Sequence, residues 1–356
     1  MRQSRGVPLS ESPTDSVPVV LAVDGNSLVH RAYHALAHTG LRSLAGEPVW
    51  AVRGLLMQLV HAVDRVAPSR VVVGFDDAER SVRRDGYPDY KAQRPDKLRT
   101  LVSQLCLAAE TLQGMGIHVV VPEGLEADDV LASAAARARA VGGRTVVMTS
   151  DRDAFALIDE HTSVLRIING GVEASPLLTP DRLELLVGVR PEQYPDFAAL
   201  RGDPSDNLPG VRGVGPKTAA RLLGAFITAE RVFDATPDAL REVVGPACAV
   251  RLALPESRDA WQRNRALMAM RGDLEVGLGT ALPLEADAVR SAYARCRLPN
   301  TKVEALRLLA DVEPVQTPPP ADTLNWDPSA EWRARRRHPP LPMKPVPLPE
   351  RQLTLF

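Results

Sequence analysis

Three apolar runs in this chain each lead into an aspartate: Pro18–Val23 into Asp24, Val71–Phe75 into Asp76, and Thr145–Thr149 into Asp151 and Asp153. Short Val-rich runs separated by helical-period segments predict buried parallel strands. Ligands of an open α/β sheet bind outside the carboxyl ends of its strands. The pattern therefore collects acidic residues from distant parts of the chain at one edge. Two more clusters, Glu126-Ala127-Asp128-Asp129 and Gly202-Asp203-Pro204-Ser205-Asp206-Asn207, join the set. So many carboxylates in one site repel unless cations hold them.

A single Asp at a strand end serves equally well as a helix N-cap or turn former, but capping gives no reason for all three to share an edge. Glu126 and Asp129, three apart, fall on one helix face and also suit the positive end of a helix. Hard oxygen ligands select Mg²⁺ or Mn²⁺, and no His or Cys cluster favours a softer metal. Two such ions, about 4 Å apart, support phosphodiester cleavage. A metal-dependent nuclease is the class this chemistry favours.

Along the chain, residues 1–17 read as a disordered leader. Val52, Leu55, Leu56, Leu59, Val60, Val63 and Val66 recur at helical spacing before the second strand. Residues 77–97 are polar, basic and aromatic. A helix with Leu98, Leu101, Val102 and Leu105 follows, then a strand at Ile117–Val121, an Ala-rich helix over Glu126–Val141 and a strand at Val164–Ile168. This βαβα alternation predicts a parallel sheet covered on both faces, closing near residue 201. From about Pro180 short helices take over, and 202–310 reads as a helical second unit. Residues 311–356 form a Pro-rich tail, with eleven prolines between Pro314 and Pro349, expected to be extended and mobile.

The segment Leu208-Pro209-Gly210-Val211-Arg212-Gly213-Val214-Gly215-Pro216-Lys217-Thr218 fails the P-loop spacing because Pro216 intervenes, and no strand precedes it. It reads as a Gly-rich turn between helices. Free N–H groups of Gly213, Gly215 and Thr218, with the charge of Lys217, suit a DNA phosphate.

Basic and acidic residues balance, 43 against 44, so no global field announces nucleic acid, and only five of the basic residues are lysines. Cys106, Cys248 and Cys296 are odd in number and widely spaced, which fits neither a disulfide framework nor a zinc site and predicts a reducing cytoplasm. No secretory h-region or membrane-length apolar stretch is present.

These motifs occur together, in order, with Arg31, Tyr90-Lys91, Arg94 and Asp151-Arg152-Asp153 among them. Over about Val19 to Leu309 the chain resembles the bacterial 5′–3′ exonuclease and flap endonuclease family, including the N-terminal nuclease domain of DNA polymerases I. The resemblance implies an α/β fold: a PIN-like nuclease core at 18–201 with an arch region at about 77–97. A DNA-tracking helix-hairpin-helix region follows at 202–310, often with a bound K⁺. It assigns Asp24, Asp76, Glu126, Asp128, Asp129, Asp151, Asp153, Asp203 and Asp206 to the metal site, and Arg31, Arg83, Lys91 and Arg94 to the scissile phosphate. The stretch between Arg94-Pro95 and Leu98 is shorter than in many relatives. No polymerase domain follows, which implies a stand-alone nuclease, expected to be monomeric. Its expected substrates are branched, 5′-ended and RNA-primed DNA. An RNA-processing nuclease on the same core and a non-catalytic branched-DNA adaptor are the alternatives; the helix-hairpin-helix with Lys217 argues against the first and the intact carboxylates against the second.

The chain ends on Gln352-Leu353-Thr354-Leu355-Phe356, which resembles the short motif with which bacterial replication and repair proteins bind the sliding clamp. Leu353, Leu355 and Phe356 are apolar anchors on a segment otherwise poor in them, and Gln352 is a polar latch.

Overall fold

The computed structural model describes residues 17–313. The leader as far as residue 16, the Pro-rich stretch from 314 and the terminal Gln352–Phe356 motif lie outside the described residues. The main sheet has seven strands, six of them, β1 (Val19–Asp24), β2 (Arg70–Gly74), β3 (His118–Val120), β4 (Arg144–Thr149), β5 (Thr162–Arg166) and β6 (Leu177–Leu178), in the order β3-β2-β1-β4-β5-β6. The first five are parallel and β6 pairs antiparallel with β5. The chain moves outward from β1 through β2 to β3, then returns to place β4 on the other side of β1. That reversal opens a crevice at the carboxyl ends of β1 and β4.

Both sheet faces are covered, which is why the strands read as continuous apolar runs. Leu21, Val23, Val71, Val73, Met148 and Leu165 point to one face. They pack with α1 (Gly25–Leu36), α2 (Trp50–Val66) and α4 (Arg99–Gly114). Val20, Ala22, Val72, Val147 and Val164 point to the other, under α5 (Ala127–Ala140). The alanines of α5 suit a close approach: a Cβ on Gly74 would lie 2.9 Å from Val130 Cβ and 3.0 Å from Ala127 O.

Short helices follow Pro180, as the sequence predicts, but they do not stand apart from the sheet. Helices Tyr194–Arg201, Pro216–Phe226 and Pro255–Leu267 share the apolar cluster beneath α5. Helices Ala286–Arg295 and Pro299–Ala310 cross to the opposite face, where Val289, Tyr293 and Leu309 join α2 and α4. Strand Thr280–Ala281, which the sequence does not suggest, pairs antiparallel with Arg70 and Val71 of β2. All described residues thus belong to one compact unit. Among them, no helix is long and apolar enough to cross a membrane.

Residues 77–97 contain one short helix, α3 (Val82–Gly86), capped by Ser81. The rest is turns tied down at the crevice: Lys91 N donates to Asp206 O at 2.9 Å, Asn207 Nδ2 to Asp89 O at 2.8 Å and Arg94 Nε to Ser205 O at 3.2 Å.

Candidate active site

The crevice is a cavity of about 660 Å³. Five of the nine predicted carboxylates line it: Asp24, Asp76, Glu126, Asp128 and Asp151. Arg31, Lys91, Arg94 and Lys97 line it too, with His30 and His34 of α1. Asp24 ends β1 and caps α1, accepting from Ser27 N at 2.8 Å and from Thr149 Oγ1 at 2.7 Å. Capping and membership of the acidic edge therefore coincide in one residue. Asp76 accepts from Ala127 N at 3.0 Å, at the start of α5, and from Asn26 Nδ2.

Asp153, Asp203 and Asp206 lie next to this lining rather than in it. Asp153 lines a smaller cavity of about 230 Å³ beside Tyr194 and Met268. The Asp151, Asp203 and Asp206 charges all act on it. Asp203 accepts from Ser205 N at 2.8 Å. Asp206 takes an ion pair from Arg94 and stands 3.9 Å from Lys91 Nζ.

Crowding shows in the protonation behaviour. Burial, with Asp76 and Asp151 adding repulsion against the Thr149 and Ser27 hydrogen bonds, pushes Asp24 up to about 7. Burial and the charges of Asp151, Asp203 and Asp206 push Asp153 up to about 7 as well. Asp128 is held well above the usual carboxylate range by burial and by Asp24, Asp151, Asp153 and Glu126. Conversely, burial and the nearby Lys97, His34 and Arg94 push His30 down to about 4, so its imidazole is neutral at pH 7.

Two sequence assignments are corrected here. Asp129, read as a metal ligand, is fully buried and spends both oxygens elsewhere. It accepts from Arg83 twice at 2.8 Å, from Arg271 N at 2.8 Å and from Glu126 N at 3.0 Å. Arg83, read as a phosphate-drawing cation, is the other half of that pair. It also donates to Leu267 O and Ala269 O at 3.0 Å and stands 3.3 Å from Glu126, outside the crevice lining. Together they fasten α3, the start of α5 and the 267–271 segment. Tyr90 is buried and donates to Glu126 Oε2 at 3.1 Å, so it packs the wall rather than offering a face for a base.

The donor set fits a hard divalent cation. Asp128 Oδ1 and Asp153 Oδ1 are buried acceptors without a hydrogen-bond partner, a costly arrangement that a cation relieves. Among the described residues, no three acidic, His or Cys side chains close into a ready-made cage. An open lining of this kind suits Mg²⁺, which keeps several waters and takes one or two carboxylates plus substrate phosphate.

The Gly-rich turn is present, but a two-residue strand, Leu208–Pro209, leads into it and pairs antiparallel with Gly202–Asp203, correcting the expectation that no strand precedes it. Gly213 has φ +85°, open to glycine at little cost, and Pro216 starts the helix Pro216–Phe226. Lys217 is exposed in its first turn. Gly215 and Thr218 flank that start, away from the acidic crevice lining.

Comparison with known proteins gives the family and the fold. The profile of the 5′-3′ exonuclease N-terminal resolvase-like domain matches residues 19–184, and that of the 5′-3′ exonuclease C-terminal SAM fold matches residues 189–288. The chain belongs to the 5′-3′ exonuclease family. Members of this family hydrolyse phosphodiester bonds of DNA. DNA polymerase I of Mycobacterium bovis is 39% identical over 236 residues, covering 66% of this chain and 26% of the relative, so the chain spans about a quarter of that protein. T5 5′-exonuclease with bound zinc has a TM-score of 0.56 at 19% identity, covering 82% of this chain and 93% of that one. The catalytic core of Rad2 in complex with DNA substrate has a TM-score of 0.53 at 12% identity, covering 84% and 92%. At those identities the likeness is one of fold.

For this exonuclease-family chain the sequence reading missed several residues of the crevice: Asn26, Ser27, His30, His34, Lys97, Ser150 and Asn169. Asn169 accepts from Arg31 at 2.7 Å and fixes its guanidinium. His30 and His34, four apart on the helix that Asp24 caps, carried the one usable signal.

Proposed function

We propose that this chain is a divalent-metal-dependent 5′ nuclease that hydrolyses DNA at 5′ ends and flaps, RNA-primed ends included, in replication and repair. The observation that carries this reading is the juxtaposition in one crevice of Asp24, Asp76, Glu126, Asp128 and Asp151 with Arg31, Lys91 and Arg94. Asp24, Asp76, Glu126, Asp128 and Asp151, with Asp153, Asp203 and Asp206 alongside, would hold Mg²⁺ or Mn²⁺ as a pair of ions. Such ions supply charge neutralisation and an activated water. Lys91, paired with Glu126 at 2.6 Å, and Arg94, paired with Asp206, are placed to exchange a carboxylate for a substrate phosphate. Arg31, oriented by Asn169, meets the strand from α1. The neutral ring of His30 lines the same wall without adding charge. Lys217 and the N–H groups of the Gly213–Thr218 turn would grip the duplex, with a K⁺ there as part of the same proposal. The enzyme acts as a monomer in the cytoplasm.

The test is cleavage of a labelled 5′ flap, with and without Mg²⁺, by the parent and by Asp151→Ala. Metal-dependent cleavage by the parent, lost in a variant that still binds the flap, is expected. Cleavage by Asp151→Ala at the parent rate, or no cleavage by the parent with any divalent ion, would overturn the reading. The terminal Gln352-Leu353-Thr354-Leu355-Phe356 motif extends the proposal to a bacterial sliding clamp as partner, with Gln352, Leu353, Leu355 and Phe356 as its contacts.

A further inference from the structure

The glycine turn has a second cationic flank that the sequence motif does not include. Helix Pro246–Leu252 brings Arg251 back against the turn: a Cβ on Gly213 would lie 2.6 Å from one Arg251 guanidinium nitrogen and 3.4 Å from its Cδ. Gly213 is demanded by its φ of +85°, whereas the exposed Arg251 guanidinium beside it is the flexible end of a side chain that could give way. Cys248 of the same helix approaches Gly213 O at 3.8 Å. Burial pushes its thiol up while the Arg251 and Arg221 charges pull it down, so both guanidiniums stand near it. Arg221 lies one helical turn beyond Lys217, on the same face. Arg212, Lys217, Arg221 and Arg251 are all exposed.

Among the described residues, none of these four makes an ion pair within 4.0 Å, and none donates a side-chain hydrogen bond. That sets them apart from Arg241, Arg258 and Arg290, whose guanidiniums are each paired with an aspartate. Like charges gathered around one turn without counter-charges repel, and the arrangement is relieved by a polyanion. A lone phosphate is a poor match for four cations spread over the turn and two helices, whereas the regularly spaced phosphates of a duplex strand suit them.

We propose that Arg251 makes its own phosphate contact on the duplex backbone, beside the one assigned to Lys217, with Arg221 extending the same track. The inference rests on the reading of the glycine turn as a duplex grip and adds a residue from a separate helix to it. Arg251 acts in binding, remote from the acidic crevice, and takes no part in bond cleavage.

The experiment measures the affinity of the full-length protein for a blunt DNA duplex across a salt series. Ca²⁺ replaces Mg²⁺ to restrain cleavage, and the variants are Arg251→Met, Arg251→Lys, Lys217→Ala and parent. Met keeps the aliphatic packing over Gly213, so folding is preserved while the charge is removed. Each phosphate contact contributes about 0.9 to the slope of log affinity against log salt. Arg251→Met should therefore lose about one unit of slope, as Lys217→Ala does, becoming roughly threefold less salt-sensitive between about 50 and 200 mM. Arg251→Lys should keep the parent slope. If Lys217→Ala changes the slope and Arg251→Met does not, the Arg251 contact is wrong and the turn still grips DNA. If Arg251→Met weakens binding at every salt with an unchanged slope, Arg251 merely props the turn and the proposal fails. If neither variant changes slope or affinity, the reading of the turn itself fails.

Discussion

Asp129 separates the structural account from the sequence motif most sharply, because the motif makes it a ligand and the structure makes it a buried counter-ion. Asp129→Ala removes four hydrogen bonds and leaves Arg83, only 11% exposed in its side chain, without its bidentate partner. Breaking a buried pair by deleting one member costs about 3–5 kcal/mol. Arg83 keeps Glu126 at 3.3 Å and two carbonyls at 3.0 Å, which argues for the lower end, about 3 kcal/mol. With a urea dependence of about 3 kcal/mol per M, the unfolding midpoint should fall by about 1 M. A double variant, Arg83→Met with Asp129→Leu, should recover only part of that loss: it removes the unpaired charge but leaves Glu126 N, Arg271 N and the Leu267 and Ala269 carbonyls without these partners. Where Asp129→Ala is still folded, it should cleave a 5′ flap with the parent's Mg²⁺ dependence. An Asp129→Ala protein with the parent's midpoint and no cleavage would refute the argument and return Asp129 to the metal site.

Three further outcomes follow from the geometry. In metal-free protein Asp24 and Asp153 titrate at about 7 against an ordinary 3.8, so between those values the folded state holds protons the unfolded chain has released. Stability should then fall as pH rises through that window, and Mg²⁺ should raise the melting temperature more at about pH 7.5 than at about pH 5; a flat metal-free profile would contradict the crowding. Lys91→Ala should lower the cleavage rate at saturating DNA more than it lowers affinity, whereas Lys217→Ala should do the reverse; identical behaviour of the two would dissolve the division between crevice and turn. Deleting Gln352–Phe356 should leave cleavage of free oligonucleotide flaps unchanged and abolish only stimulation by clamp-loaded DNA; undiminished stimulation would dismiss the motif.

The sheet was legible because burial on both faces writes strands as apolar runs, and the observed β1, β2 and β4 begin and end within a residue or so of those runs. Where a helix packs is a different kind of information. The apolar positions of Ala286–Arg295 and Pro299–Ala310 mark an amphipathic face, yet nothing local says that this face joins α2 and α4 rather than the helices just before it. Strand Thr280–Ala281 is too short for any period. It is recruited by backbone pairing with β2 and by the Thr280 hydroxyl, which donates to Gly116 O at 2.8 Å and accepts from His118 N at 2.8 Å.

The same distinction decides the acidic motif at the start of α5. Neighbouring residues on a helix point about 100° apart, so Asp128 and Asp129 cannot both face the crevice, and composition alone does not say which one does. The phase is set by what lies behind the helix. Arg83 reaches Asp129 from α3 and Arg271 N meets it from the segment after helix Pro255–Leu267, and both contacts are long-range. With Asp129 held at the back, Asp128 turns forward with one oxygen unpartnered, and Glu126, at the N-cap, is gripped by Lys91 and Tyr90 along the wall. The buried pair thus braces the start of α5 from behind without entering the crevice, while Lys91 and Tyr90 hold Glu126 independently of it. Its loss should be felt first as instability and only through that as lost activity.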